Sequence, residues 1–295
     1  MDTVCVLMST YNGEKYLVEQ IESILNQKRV IVYLFVRDDG STDNTVDILK
    51  KYKSENKLEV YQDDENLGPA NSFMKLLYDS SDYDYYAFAD QDDIWLEEKL
   101  FVAIQKIKEK NSLPTLYCSN QLIYKDNRVG GVRFLHEPEH GLIEAICGNV
   151  FSGCTMVFNK ELADIIKKKQ HRPNSDVLRM RMHDTWVIAV AECIGDVIYD
   201  QNAYIKYRIH ENNTVGLKKG KVKRVIEKLI GIQKKGGRSK LASNLIKITK
   251  LKDNKAQIVC AFAERNRIKL LKKEIINQCG ENRMIFVIKV LLGWI

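Results

Sequence analysis

Short apolar runs and helical stripes alternate along the first hundred residues. Thr3–Met8 (TVCVLM) is almost continuously apolar, as a strand buried on both faces should be. Leu17, Ile21, Ile24 and Leu25 then recur at helical spacing. A second run, Ile31–Val36, precedes a stripe of Val46, Leu49 and Tyr52, and a third, Lys57–Tyr61, precedes Phe73, Leu76 and Leu77. The fourth, Asp84–Phe88, leads to Leu96, Leu100, Ile104 and Ile107. Repeated strand–loop–helix units predict an α/β fold, with a mostly parallel central sheet and helices on both faces. In such sheets ligands bind at the carboxyl ends of the strands. Three polar loops stand there, at residues 9–13, 38–43 and 89–93.

After Pro114 the pattern loosens. Thr115–Ser119, Gln121–Lys125, Thr155–Phe158, Asp196–Tyr199 and Ala203–Tyr207 read as five strands. Asn149–Gly153 reads as a small-residue bend, and Asp184 stands before an apolar helix expected over 185–193. Further on, Leu241, Leu245 and Ile248 fit a helix, and Ile258, Phe262, Ile268 and Leu271 fit a continuing stripe. The stretch Met284–Ile295 is apolar apart from Lys289.

Charge divides the chain more sharply than hydropathy does. The 295 residues carry a net +7, but residues 216–295 hold 21 Lys and Arg against 5 Asp and Glu, leaving the first 215 at −9. The division predicts a body over 1–215 and a basic helical C-terminal region over 216–295. The basic region calls for a polyanionic partner, with nucleic acid and anionic membrane as the two candidates. Only three aromatic residues, Phe262, Phe286 and Trp294, fall in it, too few for base-stacking platforms. An interfacial position on an anionic membrane is therefore expected, or else self-association through these helices. No apolar run approaches the roughly 18 residues of a spanning helix, and no secretory signal is apparent. The seven cysteines contain no CxxC pair, which argues for reduced thiols and a cytoplasmic setting.

Three motifs carry chemistry. Asp90-Gln91-Asp92-Asp93 gathers three carboxylates within four residues. Such charges repel unless a cation sits among them, and oxygen ligands suit Mg²⁺ or Mn²⁺. Ser9-Thr10-Tyr11-Asn12-Gly13 and Arg37-Asp38-Asp39-Gly40-Ser41 offer an aromatic ring, hydroxyls and carboxylates suited to a nucleobase. Each loop alone reads more readily as an ordinary strand-to-helix turn; together with the Asp cluster they are far more specific. His183-Asp184 and Tyr207-Arg208-Ile209-His210 supply a possible general base and a possible metal or phosphate ligand, although Asp184 also suits a helix cap.

The ordered series STYNG, DDGSTDNT, ENLGPANSF, DYYAFADQDDIW, SGCTMVF, MHDTW and YRIH resembles the family 2 glycosyltransferases, in particular bacterial rhamnosyltransferase-like enzymes of surface-polysaccharide synthesis. The resemblance spans roughly residues 2–215. It implies a GT-A fold, a Rossmann-like α/β domain, and an inverting, metal-dependent transfer from a nucleoside-diphosphate sugar. dTDP-rhamnose and UDP-hexoses are the donors it implies. The acceptor it implies is a saccharide, expected to be lipid-linked at the inner face of the cell membrane. By position, Thr10, Tyr11 and Asn12 would line the nucleobase pocket, Asp39 would receive the base N–H, and Asp38 would support the loop. Asp90 and Asp92 would form the DxD pair, with Asp92 nearest the Mn²⁺ or Mg²⁺ and His210 close to it. Asp93 would orient the sugar, Gly153 would lie beneath it, and Asp184 would be the base. One departure is Thr185 before Trp186, where many relatives carry two aromatics; it bears on the acceptor. A sugar nucleotidyltransferase shares the layout but would show a GxGTR-like loop, which residues 9–13 do not match.

Overall fold

The computed structural model describes residues 1–61, 65–110, 113–211, 236–249, 254–280 and 283–293. The runs Lys218-Lys219-Gly220-Lys221 and Lys234-Lys235, and Trp294, lie outside the described residues. The chain divides into two compact units: Met1–Glu137 with Phe151–Lys167 and Gly195–His210, and Pro138–Val150 with Lys168–Ile194 and Glu211–Ile295. The basic C-terminal segment is thus grouped with two internal stretches of the chain.

The first unit holds a nine-stranded sheet. Its strands are β1 (Thr3–Thr10), β2 (Ile31–Asp38), β3 (Glu59–Tyr61), β4 (Tyr85–Ala89), β5 (Ile94–Trp95), β6 (Thr115–Lys125), β7 (Arg128–Val132), β8 (Val157–Asn159) and β9 (Asp196–Arg208). They lie in the order β3-β2-β1-β4-β8-β6-β9-β5, with β7 paired to β6. β1–β2, β1–β4, β2–β3 and β6–β9 are parallel; the short β8 is antiparallel to both β4 and β6. Successive side chains of a strand face opposite ways. Val4 through Met8 are all fully buried, so both faces of β1 are covered. Helices α1 (Leu17–Leu25), α2 (Thr45–Ser54), α3 (Pro69–Asp79) and α4 (Lys99–Lys108) supply the cover over the first half. Leu17, Ile21 and Ile24 of α1, and Leu100, Ile104 and Ile107 of α4, join β1, β2 and β4 in one core. Burying each such side chain is worth about 1.5–3 kcal/mol.

Several elements are longer or shorter than their patterns predict. Thr115–Lys125 is one strand, not two, with its register against β9 shifting between Ser119 and Leu122. Asp196–Tyr199 and Ala203–Tyr207 likewise fuse into β9. Pairing continues through the polar stretch because a partner strand runs alongside it, which periodicity does not see. The bend at 149–153 ends in a 3₁₀ turn, Gly153–Thr155.

The second unit is helical, with α5 (Leu142–Cys147), then, after α6 (Lys160–Lys167) of the first unit, α7 (Ser175–Arg181) and α8 (His183–Ile194). α8 begins two residues earlier than expected, so Asp184 lies inside its first turn. The stripe expected to run through Ile258 to Leu271 is broken into helices Asn254–Ala263 and Arg267–Leu270 at Arg265, whose φ of 52° no α-helix accepts. A last helix spans Arg283–Leu291.

Candidate active site

Parallel neighbours end at the same edge of a sheet. Thr10 of β1 is the register partner of Asp38 of β2, and Met8 partners Ala89 of β4, so the three polar loops leave β1, β2 and β4 side by side.

The loops are bound to one another by named atoms. Asp38 Oδ1 accepts from the hydroxyls of Thr10 at 2.9 Å and Ser41 at 2.6 Å, while Oδ2 accepts the backbone N–H groups of Gly40 and Ser41 at 3.1 and 2.8 Å. Asp38 therefore closes its own turn and fastens it to β1. Asp39, 2% exposed, is gripped by the guanidinium of fully buried Arg37, by the backbone N–H groups of Leu67 and Gly68, each at 2.8 Å, and by the Ser72 hydroxyl at 3.2 Å. Asn12 takes a left-handed φ of 48°, which Asn tolerates; its N–H donates to Ser41 Oγ and its Oδ1 accepts the N–H of Thr42, both at 2.8 Å. Tyr11, half exposed, presents its ring outward.

Gln91 joins the third loop to the first. Its Oε1 accepts the Tyr11 N–H at 2.8 Å and its Nε2 donates to the Tyr11 carbonyl at 3.0 Å. Gln91, between the two residues of the expected DxD pair, has no role in the sequence reading, and its two-sided bond to Tyr11 reveals a positioning part. Arg37 is the other residue that motif reading passes over, although it directly precedes the Asp pair.

The carboxylates of this loop do separate things. Asp92 Oδ2 lies 2.7 Å from His210 Nε2, and the imidazole packs against Tyr16 with ring centroids 5.1 Å apart. Asp93 is fully buried; its Oδ1 accepts the Arg208 backbone N–H at 3.0 Å. Burial first, then the charges of Asp92 and Asp90, push its carboxyl well above the usual carboxylate range. Asp90, Asp93 and Cys154 bring one ligating atom each within 4.8 Å of one another. Burial, and then Asp93 and Asp90, push the Cys154 thiol upward too, so sulfur stays protonated and a poor ligand for a hard cation. Gly153 is buried in the 3₁₀ turn just before Cys154.

Excess negative charge and oxygen donors are what a divalent cation requires, and the Asp90–Asp93 loop with His210 fits one on that ground. Thr10, Tyr11, Asn12, Asp38, Asp39, Asp90, Asp92, Asp93, Gly153 and His210 all belong to the first unit. Asp184 belongs to the second, where its Oδ1 accepts the N–H of Thr185 at 2.6 Å. His183 beside it is buried, which pulls its imidazole down to about 3 and keeps it neutral.

Residues 5–166 match the family described as Glycosyl transferase family 2. Among curated proteins, the dTDP-rhamnosyl transferase RfbG of Shigella flexneri is 32% identical over 219 residues, 71% of this chain and 73% of its own. TuaG of Bacillus subtilis, a glycosyltransferase assigned to teichuronic acid biosynthesis, is 28% identical over 221 residues, 74% of this chain and 83% of its own. Among solved structures, Staphylococcus aureus TarS residues 1–349 in complex with UDP-GlcNAc superposes with a TM-score of 0.59 at 20% identity, covering 98% of this chain and 79% of that one. Fold and family match together define a GT-A glycosyltransferase that uses nucleotide-sugar donors. The chain belongs to glycosyltransferase family 2, with rhamnosyltransferase-like sequence relatives.

Proposed function

We propose that this protein transfers a sugar, with inversion, from a dTDP- or UDP-linked donor to a hydroxyl of a growing polysaccharide. The observation that carries the reading is the mutual fastening of three loops at the ends of β1, β2 and β4, by Gln91 on Tyr11 and by Asp38 on Thr10. The RfbG name, which specifies dTDP-rhamnose, favours that donor; the TarS complex with UDP-GlcNAc keeps UDP-sugars in the comparison.

In this reading Tyr11 stacks on the base, and Thr10, Asn12 and Asp39 line its pocket, with Asp38 holding the loop in shape. Asp90 and Asp92, with His210, would hold Mn²⁺ or Mg²⁺, which neutralises charge on the departing diphosphate when bound. Asp93 would orient the sugar, and Gly153 would lie beneath it. Asp184 is assigned as general base from its MHDTW motif. It takes the proton of the acceptor hydroxyl as that oxygen bonds to the anomeric carbon and the anomeric C–O bond to phosphate breaks on the opposite face.

The acceptor is proposed to be lipid-linked, and the enzyme to rest on an anionic membrane. No helix among the described residues is long and apolar enough to cross a membrane. Helix Arg283–Leu291, however, leaves Met284 75% and Leu291 62% exposed, with Ile285, Ile288 and Leu292 on the same face, while Phe286 and Val290 are buried opposite. An exposed apolar stripe on a helix that also carries Arg283 and Lys289 fits an interfacial helix.

A thermal-shift series with dTDP, UDP and their sugars, with and without Mn²⁺, tests the donor reading, because stabilisation of the fold by a ligand rises with the logarithm of its affinity. Asp92→Ala is expected to abolish the Mn²⁺-dependent part of the shift. Asp184→Asn is expected to keep the full shift but lose about 10²–10⁴-fold in transfer rate. Near wild-type turnover by Asp184→Asn would remove the base assignment.

A further inference from the structure

We propose that Arg133 is a donor-binding residue that reads the oxygen substituents of the donor's sugar. The inference rests on the nucleotide-sugar reading above, and adds a residue that neither the motifs nor the family match assigns.

The hairpin of β6 and β7 carries Arg133 to its place. Asp126 and Asn127, at φ of 49° and 58°, form the tight turn that folds β7 back along β6. The Arg133 backbone N–H then donates to the Gln121 carbonyl at 2.9 Å. Its side chain is anchored through one nitrogen: Nη1 donates to Gln121 Oε1 at 2.6 Å and to the Ser152 hydroxyl. Gln121, almost fully buried, donates in turn from Nε2 to Cys154 Sγ at 3.4 Å. Cys154 is the residue that meets Asp90 and Asp93. Two hydrogen bonds therefore tie the guanidinium to the carboxylate cluster, and a third ties it to the residue before Gly153.

Both side-chain anchors of Arg133 are neutral. Among the described residues it forms no ion pair, and Nη2 and Nε have no hydrogen-bond partner; neither is buried without one. Its guanidinium also lies over the Phe134 ring, 5.0 Å from the centroid, and its charge is felt by Tyr199 and Tyr207. A guanidinium has five donors in a rigid plane. Here one end is fixed, and the other edge is left without a protein hydrogen-bond partner, two hydrogen bonds from the Asp90, Asp93 and Cys154 cluster. Fixing one end removes rotational freedom in advance, so the open edge engages ligand oxygens at low entropic cost. The position beside Ser152 and Gly153, rather than beside Tyr11 and Asp39, assigns that edge to the sugar and not to the base.

The test measures two ligands on each variant by calorimetry with Mn²⁺: dTDP against dTDP-rhamnose, and UDP against UDP-GlcNAc. Arg133→Lys keeps the charge and can still reach Gln121 and Ser152, but has no second N–H edge. It should bind the nucleoside diphosphate as the wild type does and lose about 10- to 100-fold in affinity for the sugar nucleotide, the range expected for hydrogen bonds from a charged donor. Arg133→Gln should lose at least as much. Equal weakening of both ligands would place Arg133 on the diphosphate, and no weakening of either would leave it a tie between β7 and Ser152; each result overturns the proposal. Should the wild type bind neither diphosphate nor sugar nucleotide, the donor reading itself falls, and the Arg133 assignment with it. Unchanged melting temperature in Arg133→Lys shows that any loss of affinity is not loss of fold.

Discussion

Lys99 shows how far a single residue can sit from its usual chemistry. It opens α4 yet is fully buried, with Nζ 3.6 Å from the centroid of the Trp95 ring and no hydrogen-bond partner. Burial lowers its pKa to about 7, while Cys154 and Asp93 pull the other way. In the unfolded chain the same amine titrates near 10.5. Between those two values the unfolded state binds a proton that the folded state resists, so stability falls as pH drops from about 10.5 to about 7. Lys99→Met should therefore raise stability at pH 7, by up to several times the ~1.4 kcal/mol that each pKa unit represents. The gain should shrink as pH rises and vanish above the amine's ordinary range. Urea unfolding of both proteins from pH 7 to 10 measures this; a gain independent of pH would mean that packing, not charge, is responsible. At the same scale, the sequence named Asp39 and Tyr11 but gave no role to the side chains that hold them, Arg37 and Gln91. Gln91 acquires its part from Tyr11, Arg133 from Gln121 and Ser152, and Arg37 binds Ser72 as well as its near neighbour Asp39.

At the scale of elements, hydrophobic spacing located α1, α2, α3 and α4 and the strands before them, because each buries a regular face. It failed where partners replaced periodicity, in β6 and β9. Their common start depends on one small residue. A Cβ built on Gly195 would stand 1.8 Å from the Pro114 carbonyl oxygen, the acceptor of the Asp196 N–H at 2.9 Å. Backbone cannot swing aside as a side chain can. Gly195→Ala is expected to cost at least about 1–3 kcal/mol in denaturant unfolding, by parting the strands that begin there. Gly13 is a milder case: its Cβ would meet the Gln91 amide at 2.4 Å, and that side chain is free to move. Gly13→Ala should keep the fold but release Tyr11, weakening nucleoside diphosphate affinity more than stability.

For the whole molecule the informative quantity is where charge and apolar surface fall. The exposed face of helix Arg283–Leu291 and the +16 over residues 216–295 are independent of the catalytic chemistry, and can be tested apart from it. Vesicles of phosphatidylglycerol should carry the protein upward in flotation, and phosphatidylcholine vesicles should not. Ile288→Glu with Leu291→Glu should abolish flotation while leaving Mn²⁺-dependent nucleotide binding intact. A wild type that ignores anionic vesicles but forms a dimer dispersed by the same substitutions would assign the face to a second copy of this chain.

The sequence by itself determined the alternation of strand and helix, the order of the motifs and the charge division, since all three are written in local composition and spacing. The family followed from that order. Tertiary structure alone decided that β6 and β9 run unbroken and that Asp38 also fastens its loop to Thr10 of β1. It also decided that Asp93 is buried toward Cys154, and that an arginine is tied to the same cluster through Gln121. These depend on which strands become neighbours, and pairing between distant segments leaves no periodic mark on either one.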